Sequence, residues 1–174
     1  MKNSDVIITT NRLILREFSA DDAESFYLLN SDTDVMQYTG DLAFKSVQDS
    51  AEFISNYNSY RKSGFGRWTV LLKDTNESLG WCGLKLHPDK MVDLGYRFHK
   101  RHWNNGYATE AATACIQYGF DVLNIDEIVG RTAFANKSSI RVLEKIGMKF
   151  WKEAPCEGIE ASVYYRINRP FIKK

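Results

Sequence analysis

Residues 94–111, LGYRFHKRHWNNGYATEA, constrain this fold more than any other stretch, because they send an extended segment through a short polar turn straight into a helix. Asn104 and Asn105 favour turns and helix caps, and Gly106 lets a ligand approach the backbone closely. Tyr107, Ala108 and Thr109 then place unpaired backbone N–H groups in the first helical turn. Those donors, with the helix dipole behind them, suit a pyrophosphate.

The flanking pattern gives the class of fold. Residues 68–72, 79–86 and 92–98 read as successive antiparallel strands, the first two joined by the turn-rich Asp74-Thr75-Asn76. Ser19-Ala20-Asp21-Asp22 and Ser46-Val47-Gln48-Asp49 resemble helix N-caps with an acidic third position. The first opens a helix with Ala23, Phe26, Tyr27 and Leu29 on its apolar face, the second one with Val47, Ala51, Ile54 and Tyr57. From Tyr107 the small and apolar residues Ala108, Ala111, Ala112, Cys115, Tyr118 and Gly119 form one helical stripe suited to packing on a sheet. Residues 127–133 read as a strand, residues 136–147 as a helix with a basic last turn and a terminal glycine, and residues 161–167 as a last strand. The expected class is α+β, a mixed and mostly antiparallel central sheet with helices on both faces, spanning residues 1–174 as one domain.

Composition excludes several functions. Lys and Arg number 23 against 22 Asp and Glu, a net charge of +1, so the basic footprint of a nucleic-acid binder is missing. The three cysteines, Cys82, Cys115 and Cys156, have no close spacing and argue for a reducing compartment rather than a disulfide framework. Without a signal-like N-terminus or an apolar run near the ~20 residues that span a bilayer, the expected setting is cytoplasmic, with no membrane partner. His99 and His102 have no neighbouring cysteine or carboxylate to complete a ligand set, so no metal is expected.

Several strings together resemble the GNAT superfamily of acyl-CoA-dependent N-acetyltransferases, in particular its RimJ/RimL-like branch. They are TNRLILR at residues 10–16, GRW at 66–68, LGW at 79–81, WNNGYATEA at 103–111 and NKSSIRVLEKIGM at 136–148. Trp103 stands where the superfamily has Gln or Arg, and Asn104 where the branch usually has Gly. The resemblance implies that acetyl-CoA, the only cofactor expected, sets its pyrophosphate on residues 103–109. Its pantetheine arm would lie against the backbone of Tyr96, Arg97 and Phe98, where that strand splays from residues 127–133, and a strand N–H would stabilise the oxyanion. Only the backbone is implicated there, the side chains being ordinary sheet residues.

By the same resemblance Asn136 contacts the pantetheine arm, Ser139 hydrogen-bonds the departing thiolate, and Arg141 reaches the CoA phosphates. Physical reading of the same residues leaves alternatives open, since Asn136, Ser138 or Ser139 can cap the last helix, and Arg141 and Lys145 can lie on a solvated face. An ammonium acceptor must lose a proton before it attacks. Glu160 is the first candidate base, with Tyr38, Asp41 and Glu157 as competitors. The reading is an enzyme that moves acetyl directly to a primary amine, either a protein N-terminus or a small molecule. The alternative is a catalytically silent acyl-CoA-binding module.

Overall fold

Period-two alternation puts Leu94, Tyr96 and Phe98 on one face of a strand and Asp93, Gly95 and Arg97 on the other, and the sheet is organised around that strand. A computed structural model describes residues 5–156 and 158–170. The strands are β1 (Val6–Thr9), β2 (Leu13–Arg16), β3 (Arg67–Leu72), β4 (Ser78–Leu86), β5 (Val92–Phe98), β6 (Glu127–Ala133), β7 (Lys149–Glu153) and β8 (Ser162–Asn168). They form one eight-stranded sheet in the order β1-β2-β3-β4-β5-β6-β8-β7, antiparallel everywhere except between β5 and β6. Helices α1 (Ala23–Ser31), α2 (Thr33–Met36), α3 (Val47–Ser55) and α4 (Ser59–Ser63) lie between β2 and β3. Helix α5 (Tyr107–Asp121) joins β5 to β6, and α6 (Lys137–Lys145) joins β6 to β7.

One face of the sheet packs Trp68, Cys82, Leu84, Leu94 and Ile128 against Ala111, Ala112 and Cys115 of α5, all of them buried. The small-residue stripe sets the distance. A Cβ on Gly119 would stand 2.8 Å from Ile128 and 2.9 Å from Leu84, so the helix lies as close to the sheet as its backbone allows. On the opposite face Phe26 of α1 and Ile54 of α3 pack with Phe18, Phe44 and Trp81. Burial of each large apolar side chain contributes about 1.5–3 kcal/mol, and the two clusters fix helices to both faces.

The cap signals are realised. Ser19 and Asp22 form a reciprocal capping box on a 3₁₀ turn that leads into α1, and the Ser46 hydroxyl accepts from Asp49 N–H at 3.1 Å to start α3. Val47 and Tyr57 depart from the expected apolar face of α3. Val47 is exposed, and Tyr57 lies beyond the helix end, its hydroxyl accepting from Arg67 N–H at 2.7 Å. The edge strands β1 and β7 were not legible in the sequence because neither has a buried alternating face.

Asp22 ties the first helical segment to the sheet. Its carboxylate accepts from Arg16 at 2.6 and 2.9 Å, from the Thr69 hydroxyl at 2.6 Å and from Ser19 N–H at 2.9 Å, while its side chain is only 3% exposed. Removing one partner of a buried pair leaves an uncompensated charge, so Asp22→Ala should lower unfolding free energy by about 3 kcal/mol or more. Urea denaturation of the variant checks this, and a loss below about 1 kcal/mol would show that the network is not the anchor.

Candidate active site

The site begins where β5 and β6 stop pairing. β5 is in register with β4 from Gly80↔Phe98 to Leu86↔Val92, but it meets β6 at only two positions, Asp93↔Val129 and Leu94↔Gly130. Past that point β6 continues beside β8 as far as Ala133↔Ser162, so a cleft opens between β5 and β6 toward their C-terminal ends. His99 N–H donates to Leu79 C=O at 3.0 Å, which fixes the phase of the antiparallel ladder. Bonded residues alternate along such a ladder, so Gly95, Arg97 and His99 turn their main-chain groups toward β4. Tyr96 and Phe98 turn theirs into the cleft. The Phe98 carbonyl accepts the Trp103 indole N–H at 2.8 Å, which leaves Tyr96 N–H, Tyr96 C=O and Phe98 N–H along the wall.

The turn at the end of β5 then supplies further donors. Asn104 (φ 63°) and Gly106 (φ 78°) are both left-handed, a conformation that asparagine tolerates, so Asn104 fits the place where the branch that the sequence resembles usually has glycine. Neither asparagine caps α5. Gly106 is the N-cap and supplies no side chain, while the Asn105 amide donates back to the carbonyls of His102 and Trp103 at 3.2 and 3.0 Å. The N–H groups of Tyr107, Ala108 and Thr109 consequently have no acceptor among the described residues. Trp103 is 40% exposed and braces the turn against the strand through its indole.

Side chains from α6 meet the cleft from the other side. Asn136 is the N-cap, its Oδ1 accepting from Ser139 N–H at 3.1 Å. The Tyr96 hydroxyl lies 3.0 Å from both the carbonyl and the Oγ of Ser139. This corrects the expectation that only backbone matters at residues 96–98. Burial pushes the Tyr96 phenol up despite the opposing hydrogen bond from Ser139, so it stays protonated and holds the Ser139 hydroxyl in place.

The other expected residues are spread over several elements. The Arg97 side chain lies on the opposite sheet face, bonded to Asn30 and to Asp41 at 2.5 Å over the Trp81 ring, and its main chain faces β4. Arg141 is exposed on α6 and has no ion-pair partner among the described residues. Glu160 is exposed in the segment before β8, where it lines a cavity of about 460 Å³ with Phe134, Glu153, Pro155 and Ser162. Asp41 is committed to Arg97, Tyr38 is half-buried, and Glu157 lies outside the described residues. His99 accompanies Ser25 at 2.9 Å and is pushed down to about 4, first by burial and then by the charges of Arg101 and His102, so it is neutral near pH 7.

Sequence reasoning missed the clasp on the turn. The Arg12 guanidinium donates to Glu110 Oε2 at 2.7 Å and to Asn105 C=O at 3.0 Å, and stands 4.5 Å over the Tyr107 ring. Burial tends to raise the Glu110 carboxyl, but hydrogen bonds from the Thr10 hydroxyl and from the main chain and side chain of Arg12 outweigh it and hold the group below its ordinary value. The only signal was Arg12 in the TNRLILR string, just before β2 and 98 residues before its partner Glu110.

The model of the GNAT acetyltransferase domain matches residues 12–149. The Bacillus subtilis protein YkkB is 38% identical over 156 residues, covering 86% of this chain and 89% of its own. The uncharacterized N-acetyltransferase YnaD of the same organism is 32% identical, covering 92% and 95%. A GNAT-family acetyltransferase structure from Bacillus anthracis superposes with a TM-score of 0.79 at 30% identity, covering 93% of this chain and 98% of that one. The chain belongs to the GNAT acetyltransferase family and is an acetyl-CoA-dependent acyltransferase.

Proposed function

We propose that this protein transfers the acetyl group of acetyl-CoA directly to a primary amine, without a covalent enzyme intermediate, as a RimJ/RimL-like member of the family. The observation that carries this is the cleft between β5 and β6, whose free main-chain groups run into the uncapped start of α5. A thioester arm hydrogen-bonds along Tyr96 and Phe98 as an added strand, and its pyrophosphate sits on the N–H groups of residues 106–109. Among similar folds, a Vibrio cholerae spermidine N-acetyltransferase was solved with CoA and spermine, and another is a ribosomal-protein-S5-alanine acetyltransferase from Vibrio fischeri. Both a small amine and a protein N-terminus are therefore acceptors to test.

A cleft-facing N–H of β5 stabilises the oxyanion as nitrogen attacks the thioester carbonyl. Ser139, positioned beside Tyr96, turns its hydroxyl proton from the phenol oxygen to the departing sulfur. Glu160 takes the amine's proton, directly or through one water. It is assigned this role because residues 160–161 precede Ser162, which pairs with Ala133 at the end toward which the cleft opens.

Three measurements test the reading. Gly106→Val places a β-branched side chain at a left-handed residue on the face where the ligand approaches, so CoA affinity by calorimetry should fall at least about tenfold. Unchanged affinity in a folded variant removes the loop from the site. Ser139→Ala should lower turnover by about tenfold or more, the worth of one hydrogen bond to charge, while CoA affinity stays near that of the parent. Equal turnover would leave Ser139 only as part of the first turn of α6. With an amine from a mass-shift screen as acceptor, Glu160→Gln should slow thiol release below the amine's pKa and recover as pH rises. A profile superimposable on the parent's rejects Glu160.

A further inference from the structure

The turn that receives the pyrophosphate holds no uncommitted cation of its own. Lys100 is paired with Asp34 at 2.5 Å, Arg101 with Glu77 at 3.1 Å, and position 103 is tryptophan. A carboxylate, Glu110, also sits in the first turn of α5, where unbalanced negative charge would repel an anion. Arg12 answers both. Glu110 Oε1 accepts from the Thr10 hydroxyl at 2.7 Å and from Arg12 N–H at 2.9 Å, and Oε2 accepts from Arg12 Nε at 2.7 Å. Arg12 Nη1 is used on the Asn105 carbonyl at 3.0 Å. Nη2 has no hydrogen-bond acceptor among the described residues and lies 3.5 Å from where a Cβ on Gly106 would stand, beside the left-handed glycine that opens the helix.

We propose that Arg12 is a further cofactor-binding residue, its Nη2 edge contacting the pyrophosphate of acetyl-CoA. This rests on the reading of residues 103–109 as the pyrophosphate turn. The guanidinium is already fixed by two hydrogen bonds and by the Tyr107 ring, so little side-chain freedom is lost when the anion arrives. Its charge cancels that of Glu110 and leaves the helix N-terminus attractive to phosphate oxygens. Arg12 reaches the turn from the connection between β1 and β2, and thereby supplies from elsewhere in the chain the cation that position 103 lacks.

Calorimetric titration of the full chain with CoA and with pantetheine, which has no pyrophosphate, tests this in the parent, Arg12→Met and Arg12→Lys proteins. Arg12→Met should bind CoA roughly ten- to hundredfold more weakly, with a shallower salt dependence, and bind pantetheine as the parent does. Arg12→Lys keeps a cation but loses the fork, and should recover part of the CoA affinity; it also serves as the comparison if Arg12→Met fails to fold. CoA affinity within about twofold of the parent in either variant overturns the proposal. An equal loss for CoA and pantetheine also overturns it, and makes Arg12 a structural clasp. Parent protein that binds CoA no more tightly than pantetheine would instead refute the pyrophosphate turn itself.

Discussion

A buried carboxylate, Asp93, sits at the first of only two positions where β5 and β6 pair, and the rest of the site depends on how it holds that end of the cleft together. Arg67 of β3 donates to Asp93 Oδ2 at 2.6 Å and to the Asp93 carbonyl at 2.9 Å, and also bonds the Gly83 carbonyl on β4. From β6, Arg131 Nε stands 3.8 Å from Oδ1. Burial pushes the Asp93 carboxyl up, but His87 and Arg67 outweigh it and hold it down, so it remains the charged centre of a cluster drawn from several strands. Beyond this cluster no hydrogen bond or ion pair among the described residues joins β5 to β6, and the strands separate.

The separation is what the proposed binding of acetyl-CoA rests on, and it requires no specialised side chains. Main-chain groups that would otherwise be used in a parallel ladder are left facing a cleft, and an extended ligand can complete the ladder. Gly95 is part of the same arrangement. A Cβ there would stand 2.5 Å from an Arg67 nitrogen, so a larger residue would displace the cation that closes the paired end. Tyr96 bridges the cleft to α6 through Ser139 and links the strand that offers the N–H groups to the helix that offers the hydroxyl.

The start of the chain is tied to the same site. Thr10 and Arg12 both bond Glu110, and Asp22 joins Arg16 of β2 to Thr69 of β3. Motifs far apart in sequence thus meet through charge-assisted hydrogen bonds, and the early TNRLILR string acts on the turn 93 residues later.

Local chemistry determined much of this protein. The cap signals at Ser19 and Ser46, the polar turn that leads into α5 and the small-residue stripe of that helix depend on neighbours a few positions away, so they were legible in the sequence along with β3 to β6 and β8. Tertiary structure decided the rest. That Asn136 caps α6 while Ser139 meets Tyr96, that Arg97 turns to the opposite face, and that Arg12 clasps Glu110 are pairings across 43, 56 and 98 residues or choices between equally local options. The edge strands β1 and β7 also escaped the sequence pattern, because a strand without a buried face carries no period of two. Hydrophobic periodicity records which way a residue faces, and the partner it finds there is set by packing alone.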